Sequence, residues 1–168
     1  QSGSLAINAG AGQFALREVP AFAAHAASED MGAVWIDVEG DGVLDLYVVS
    51  GGSETAPDDA SLQDRVYLND GRGGLTDAPA GTLPVETASG SAVAAADIDL
   101  DGDIDLFVGG RAVPGQYPRP SPSFLLVNTG GKFTSTPLDC GVVNAAQWAN
   151  LDGRDGPELV VASEWGSL

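Results

Sequence analysis

The stretch Asp97-Ile98-Asp99-Leu100-Asp101-Gly102-Asp103-Ile104-Asp105 decides how this chain is read. Carboxylates stand at 97, 99, 101 and 105, Asp103 fills the remaining alternate position, and a glycine follows the third acid. Carboxylates packed this densely repel one another, and a hard divalent cation reverses that cost. Calcium takes roughly six to eight oxygen ligands in a flexible shell, and a short loop with oxygens at positions 1, 3, 5, 7 and 9 supplies most of them. The expected ligands are Asp97, Asp99, Asp101, Asp105 and the Asp103 carbonyl. The Asp103 side chain is expected to point to solvent, because position 7 coordinates through its backbone.

The pattern occurs earlier as Asp37-Val38-Glu39-Gly40-Asp41-Gly42-Val43-Leu44-Asp45. Its expected ligands are Asp37, Glu39, Asp41, the Val43 carbonyl and Asp45. A damaged copy, Asn150-Leu151-Asp152-Gly153-Arg154-Asp155-Gly156-Pro157-Glu158, places a cation at position 5. That loop is expected to hold no calcium, with Arg154 among Asp152, Asp155 and Glu158 as a built-in substitute for the ion. An EF-hand would need a bidentate Glu at position 12, and that position is Val48 or Val108. The flanks, Ala33-Val34-Trp35-Ile36, Leu46-Tyr47-Val48-Val49 and Leu106-Phe107-Val108, read as short buried strands instead.

A second signature interleaves with the loops. Asn8, Asn69 and Asn128 each end an apolar run and begin a Gly-rich turn, where Asn and Gly are expected to supply the positive φ of a tight hairpin. The Asn spacings are 61 and 59 residues, and the first two loops are 60 apart. A fixed period of this size signals a repeat architecture. One period holds four strands: near 33–37, 44–49, 65–69 and 74–77, then near 92–97, 104–109, 123–128 and 132–136. Four antiparallel strands per repeat is the blade of a β-propeller. The expected fold is therefore all-β, about three blades' worth within one partial propeller domain spanning 1–168. Blades with calcium loops fall at 33–79 and 92–137. Residues 1–20 supply the outer strands of a composite blade, and 142–168 the inner strands of one, with the degenerate loop. The links between blades, 18–32, 78–91 and 137–141, are Pro- and Ala-rich, and the strand 2–3 connection at 111–120 is expected to be a stiff exposed loop.

These residues resemble the FG-GAP repeat, also called the VCBS-type or integrin-like repeat. Asp97–Leu106 followed by Phe107-Val108-Gly109-Gly110 is one copy, 37–51 a second, and 142–166 a third whose metal loop has degraded. The resemblance implies calcium-bearing propeller blades of the kind found in integrin α-subunit heads and many secreted bacterial proteins. Glu39 at position 3 and Arg154 at position 5 depart from the pattern.

Composition narrows the function. A formal charge of −17, from 24 acids against 7 bases, argues against nucleic acid and anionic membranes, both of which need basic patches. Cys140 is the single cysteine and permits no internal disulfide. There is no apolar run long enough for a membrane span. Calcium is abundant outside cells, so weak calcium loops favour a secreted or cell-surface home. The expected function is an extracellular calcium-binding scaffold for adhesion or binding, not an enzyme, with an unidentified protein or carbohydrate ligand. The alternative is part of a secreted polysaccharide-active enzyme. His25 is the single histidine, expected at the surface, and no nucleophile elbow, P-loop or dinucleotide fingerprint occurs. Two chains joined head to tail could close a six-bladed ring as a homodimer; the alternative is that the chain is an excerpt from a longer single-chain propeller.

Overall fold

A computed structural model describes residues 3–165. Residues 1–2 and 166–168, which the sequence reading assigned to the outer and inner strands of a composite blade, lie outside the described residues. The chain is built from antiparallel sheet. A hairpin, β1 (Leu5–Gly10) and β2 (Gln13–Arg17), comes first. A short helix, α1 (Pro20–Ala24), follows. Next is a four-stranded meander of β3 (Glu29–Ile36), β4 (Asp45–Gly51), β5 (Arg65–Asn69) and β6 (Leu75–Asp77). A second meander has β7 (Gly90–Ala96), β8 (Asp105–Gly110), β9 (Ser123–Asn128) and β10 (Phe133–Leu138). The last pair is β11 (Val142–Ala149) and β12 (Glu158–Glu164).

Side chains alternate across each sheet, as the two-residue period of a strand requires. Leu46, Val48, Tyr67 and Leu75 point to one side of the first meander, where Val19, Leu5 and Phe22 cover them. Tyr47, Val49 and Val66 point to the other side, against Leu106, Val108, Phe124, Leu126 and Phe133 of the second meander. The first strands of successive sheets pack together, β3 on β7 and β7 on β11. Small residues make this possible. A Cβ on Gly51 would lie 2.3 Å from the Gly90 carbonyl oxygen, and one on Gly109 would lie 2.5 Å from Val143.

The link 18–32 holds elements of its own: Pro20, at the first turn where its missing N–H costs nothing, starts α1, and β3 begins at Glu29. One expectation needs correction. Asn8, Asn69 and Asn128 do not adopt positive φ; the glycines after them do, with Gly71 at 69° and Gly130 at 57°. His25 is half-buried, with Nε2 2.8 Å from the Asp77 carboxylate, which ties α1 to β6. The loop 111–120 closes on itself through an Ala112–Pro120 bridge and a cis Tyr117–Pro118 bond. It also reaches outward, the Tyr117 hydroxyl donating to Glu164 at 2.9 Å.

Candidate metal centre

The three acidic loops each join the first two strands of a sheet, and position 9 is the first residue of the second strand in each. Strand pairing therefore fixes position 9 before any cation is considered. Asp45 accepts the Val38 amide at 3.0 Å and the Asn69 amide at 2.8 Å. Asp105 accepts the Ile98 amide at 2.9 Å and the Asn128 amide at 2.8 Å. Glu158 accepts the Leu151 amide at 2.7 Å. This carboxylate clamps its own loop and, in the two meanders, pins the end of the third strand.

The loop at 97–105 gathers its acids. Ligand oxygens of Asp97, Asp99 and Asp105 lie within 4.8 Å of one another. Oxygens on opposite sides of a calcium ion, each about 2.3–2.6 Å from it, are about 5 Å apart. Asp97 Oδ2 accepts the Gly102 amide at 3.1 Å, whereas Asp97 Oδ1 is buried without a hydrogen-bond partner. An orphaned buried carboxylate oxygen is costly and calls for a cation or donor. Burial raises the Asp105 carboxyl above its usual range, and the charges of Asp99 and Asp101 add to this; the Ile98 and Asn128 amides oppose it. A divalent cation would offset both the burial and the repulsion.

Asp101 and Asp103 stand differently. Asp101 Oδ1 accepts the Asp103 amide at 2.9 Å, and the Asp101 side chain is exposed. Asp103 is half-buried and does not point freely to solvent. Its Oδ2 accepts the Gly130 amide at 2.7 Å, because the β9–β10 turn folds over the loop and presents that N–H. Backbone shape also matters at position 4, where Leu100 has φ 64° and Gly40 and Gly153 have φ 73°.

The loop at 37–45 has the same backbone with its acids less gathered. Asp37 Oδ1 accepts the Gly40 and Asp41 amides at 2.8 and 3.1 Å, and Oδ2 accepts Gly42 at 2.8 Å. Asp41 Oδ1 accepts the Val43 amide at 2.8 Å, while Glu39 is exposed. Among the described residues, Asp97, Asp99 and Asp105 form the single group of three close carboxylates. In the third loop Arg154 Nε lies 3.4 Å from Asp152 Oδ2, and Asn150 Oδ1 accepts the Gly153 amide at 2.6 Å.

Sequence reading missed what Asn69 and Asn128 do. The Asn128 side chain donates to the Val38 carbonyl at 2.9 Å, joining the second meander to the first acidic loop. Asn69 donates to Leu44 at 2.9 Å within its own sheet. Their fixed period was a legible signal of a role beyond the turn. Asp64 gave no such signal. Burial pushes its carboxyl up to about 7, against the Tyr47 hydroxyl at 2.6 Å, the Ser50 amide at 2.7 Å and the Arg65 charge, which pull it down.

Residues 50–108 match the family model of the FG-GAP-like repeat. This segment is similar to an FG-GAP-like repeat. It runs from the end of β4 into β8 and contains the whole loop at 97–105. No curated protein matches the chain.

Proposed function

We propose that the chain is a calcium-stabilised, non-catalytic binding scaffold, its four-stranded sheets serving as blades of a β-propeller. The observation that carries the reading is Asp97 Oδ1, a buried oxygen without a partner beside the oxygens of Asp99 and Asp105. Calcium at 97–105 would be held by Asp97, Asp99, Asp101 and Asp105 with the Asp103 carbonyl. At 37–45 the set is Asp37, Glu39, Asp41, Asp45 and the Val43 carbonyl, and Asp37 must release loop amides to join it. The third loop takes no calcium, since Arg154 brings a guanidinium to position 5. When bound, the ion cross-links residues that strand pairing alone leaves repelling, so its binding free energy becomes folding free energy. Millimolar calcium suits a secreted or cell-surface site. The FG-GAP-like repeat and the acidic surface support a binding or adhesion role toward a protein or carbohydrate.

Calorimetric titration with calcium tests this, with melting curves in calcium and in EDTA. Two sites are expected, the tighter at 97–105. Calcium at 100 times its dissociation constant adds about 2.7 kcal/mol, or about 5–11 °C in a domain of this size. Melting that is the same with calcium and with EDTA would sink the reading.

A further inference from the structure

The turn between β9 and β10 touches both of the acidic loops at 37–45 and 97–105. It leaves β9 at Asn128 and re-enters the sheet at Phe133, closed by the Thr129 amide on the Lys132 carbonyl at 2.9 Å. On one side the loop at 97–105 holds it. Asp105 accepts the Asn128 amide at 2.8 Å, and Asp103 accepts the Gly130 amide at 2.7 Å. Both residues belong to the ligand set proposed above, Asp105 through its carboxylate and Asp103 through its carbonyl.

On the other side the turn holds the loop at 37–45. The buried Asn128 side chain donates to the Val38 carbonyl at 2.9 Å. Its Oδ1 accepts the Gly131 amide at 3.0 Å, which fixes the orientation of the side chain. Gly131 lies against Glu39: a Cβ on it would stand 3.6 Å from Glu39 Cβ and 3.7 Å from the Val38 carbonyl oxygen. Val38 is 1% exposed, and Asp45 takes its amide at 3.0 Å. The two backbone polar groups of position 2 are therefore bound from different sheets, the N–H from β4 and the carbonyl from β9. Glu39, the exposed ligand at position 3, depends on this backbone for its aim. Asn69 makes no such bridge, since its side chain donates to Leu44 within its own sheet.

We propose that the β9–β10 turn couples the two loops, so that calcium at 97–105 tightens calcium binding at 37–45. This rests on the calcium reading above. An ion at 97–105 fixes the Asp103 carbonyl and the Asp105 carboxylate, and through these residues the Asn128 and Gly130 amides. The turn then holds Val38 and Glu39 in place before the second ion arrives, so less ordering remains to oppose that ion. Linkage makes the effect reciprocal. Charge alone gives the opposite sign. A bound ion adds two positive charges to 97–105, whereas emptying the loop by Asp99→Ala removes one negative charge. The emptied loop is the more negative of the two and would favour calcium at its neighbour.

Calorimetric titration with calcium reads the coupling. Asp99→Ala removes one of the three gathered carboxylates and should leave 37–45 as the binding loop. The second wild-type step, which fills 37–45 beside an occupied 97–105, should be at least about fivefold tighter than the single step of Asp99→Ala. Asp103→Ala and Asp103→Asn test the route, because both lose the same charge but only the asparagine keeps an acceptor for Gly130. The gain should shrink by at least about half in Asp103→Ala and persist in Asp103→Asn. A wild-type gain below about twofold overturns the proposal. So does a gain that Asp103→Ala leaves whole, and so does calcium at one loop alone. Two independent sites refute the coupling and leave the calcium reading standing; a chain that takes up no calcium refutes both.

Discussion

Replacing Asp105 by alanine should destabilise the protein even with no calcium present. The carboxylate is fully buried and accepts amides from Ile98 at 2.9 Å and Asn128 at 2.8 Å. Alanine leaves both N–H groups without a partner. Losing a hydrogen bond to a charged group costs about 1.5–3 kcal/mol. The Asn128 amide is buried and belongs near the upper end, while the half-buried Ile98 amide, which water can reach, belongs near the lower. The sum is about 3–5 kcal/mol, and at roughly 2–4 °C per kcal/mol for a domain of this length the melting temperature should fall by about 6–20 °C. The assay is thermal unfolding followed by circular dichroism in EDTA, where loss of the metal ligand cannot contribute. In calcium the fall should be larger. Asp103→Asn keeps an acceptor for the Gly130 amide and should move the EDTA curve by less than about 2 °C. A fall below about 3 °C for Asp105→Ala in EDTA would refute the clamp.

Two further substitutions probe strain and burial. Leu100→Gly should be neutral or stabilise by up to about 1.5 kcal/mol, although it deletes a large apolar side chain. Relief of the left-handed conformation is worth about 1–2 kcal/mol and the added glycine entropy costs about 0.5–1; Leu100 is mostly exposed, with φ 64°. A denaturant midpoint showing a loss above about 1 kcal/mol would mean that the Leu100 side chain packs in solution. For Asp64 the folded carboxyl is raised from 3.8 to about 7, so its stabilisation is fully present below about pH 4 and lost as pH rises toward 7. Stability should fall across that window by up to about 4 kcal/mol more in the wild type than in Asp64→Asn. Parallel pH profiles of the two proteins would contradict this.

The strand positions were legible because two patterns agreed. The acidic loops marked the turn between the first two strands, and the Asn-Gly turns marked the one between the last two. Apolar runs of strand length filled the space between. The structure extends β3 back to Glu29 and β7 back to Gly90, where the backbone pairs in sheet without an apolar run to announce it. The acids of the candidate site were legible by spacing, but their inequality was not. Asp37 turns onto three loop amides while Asp97 keeps one oxygen unpartnered. Near-identical motifs conceal that difference, because it depends on how neighbouring residues fill each loop. The buried Asp64–Tyr47 contact joins residues 17 apart with no pattern to link them.

The acids of these loops divide between two tasks, and the third loop separates them. At 97–105 the acids at positions 1 and 3 gather with Asp105, and nothing in the strand pairing demands acids at 1, 3 or 5. Position 9 begins the second strand and must answer the amide at position 2 whether or not a cation is bound. Asp45, Asp105 and Glu158 all do so, at 3.0, 2.9 and 2.7 Å. The third loop has Asn150 and Arg154 at positions 1 and 5, yet it keeps an acid at 9 and the same turn, with Gly153 in the left-handed region. A loop of this kind can therefore lose the acids at positions 1 and 5 without losing its shape. The acid at position 9 is demanded by the fold, while the acids at 1, 3 and 5, with the unpartnered Asp97 Oδ1 among them, are demanded only by the cation proposed above.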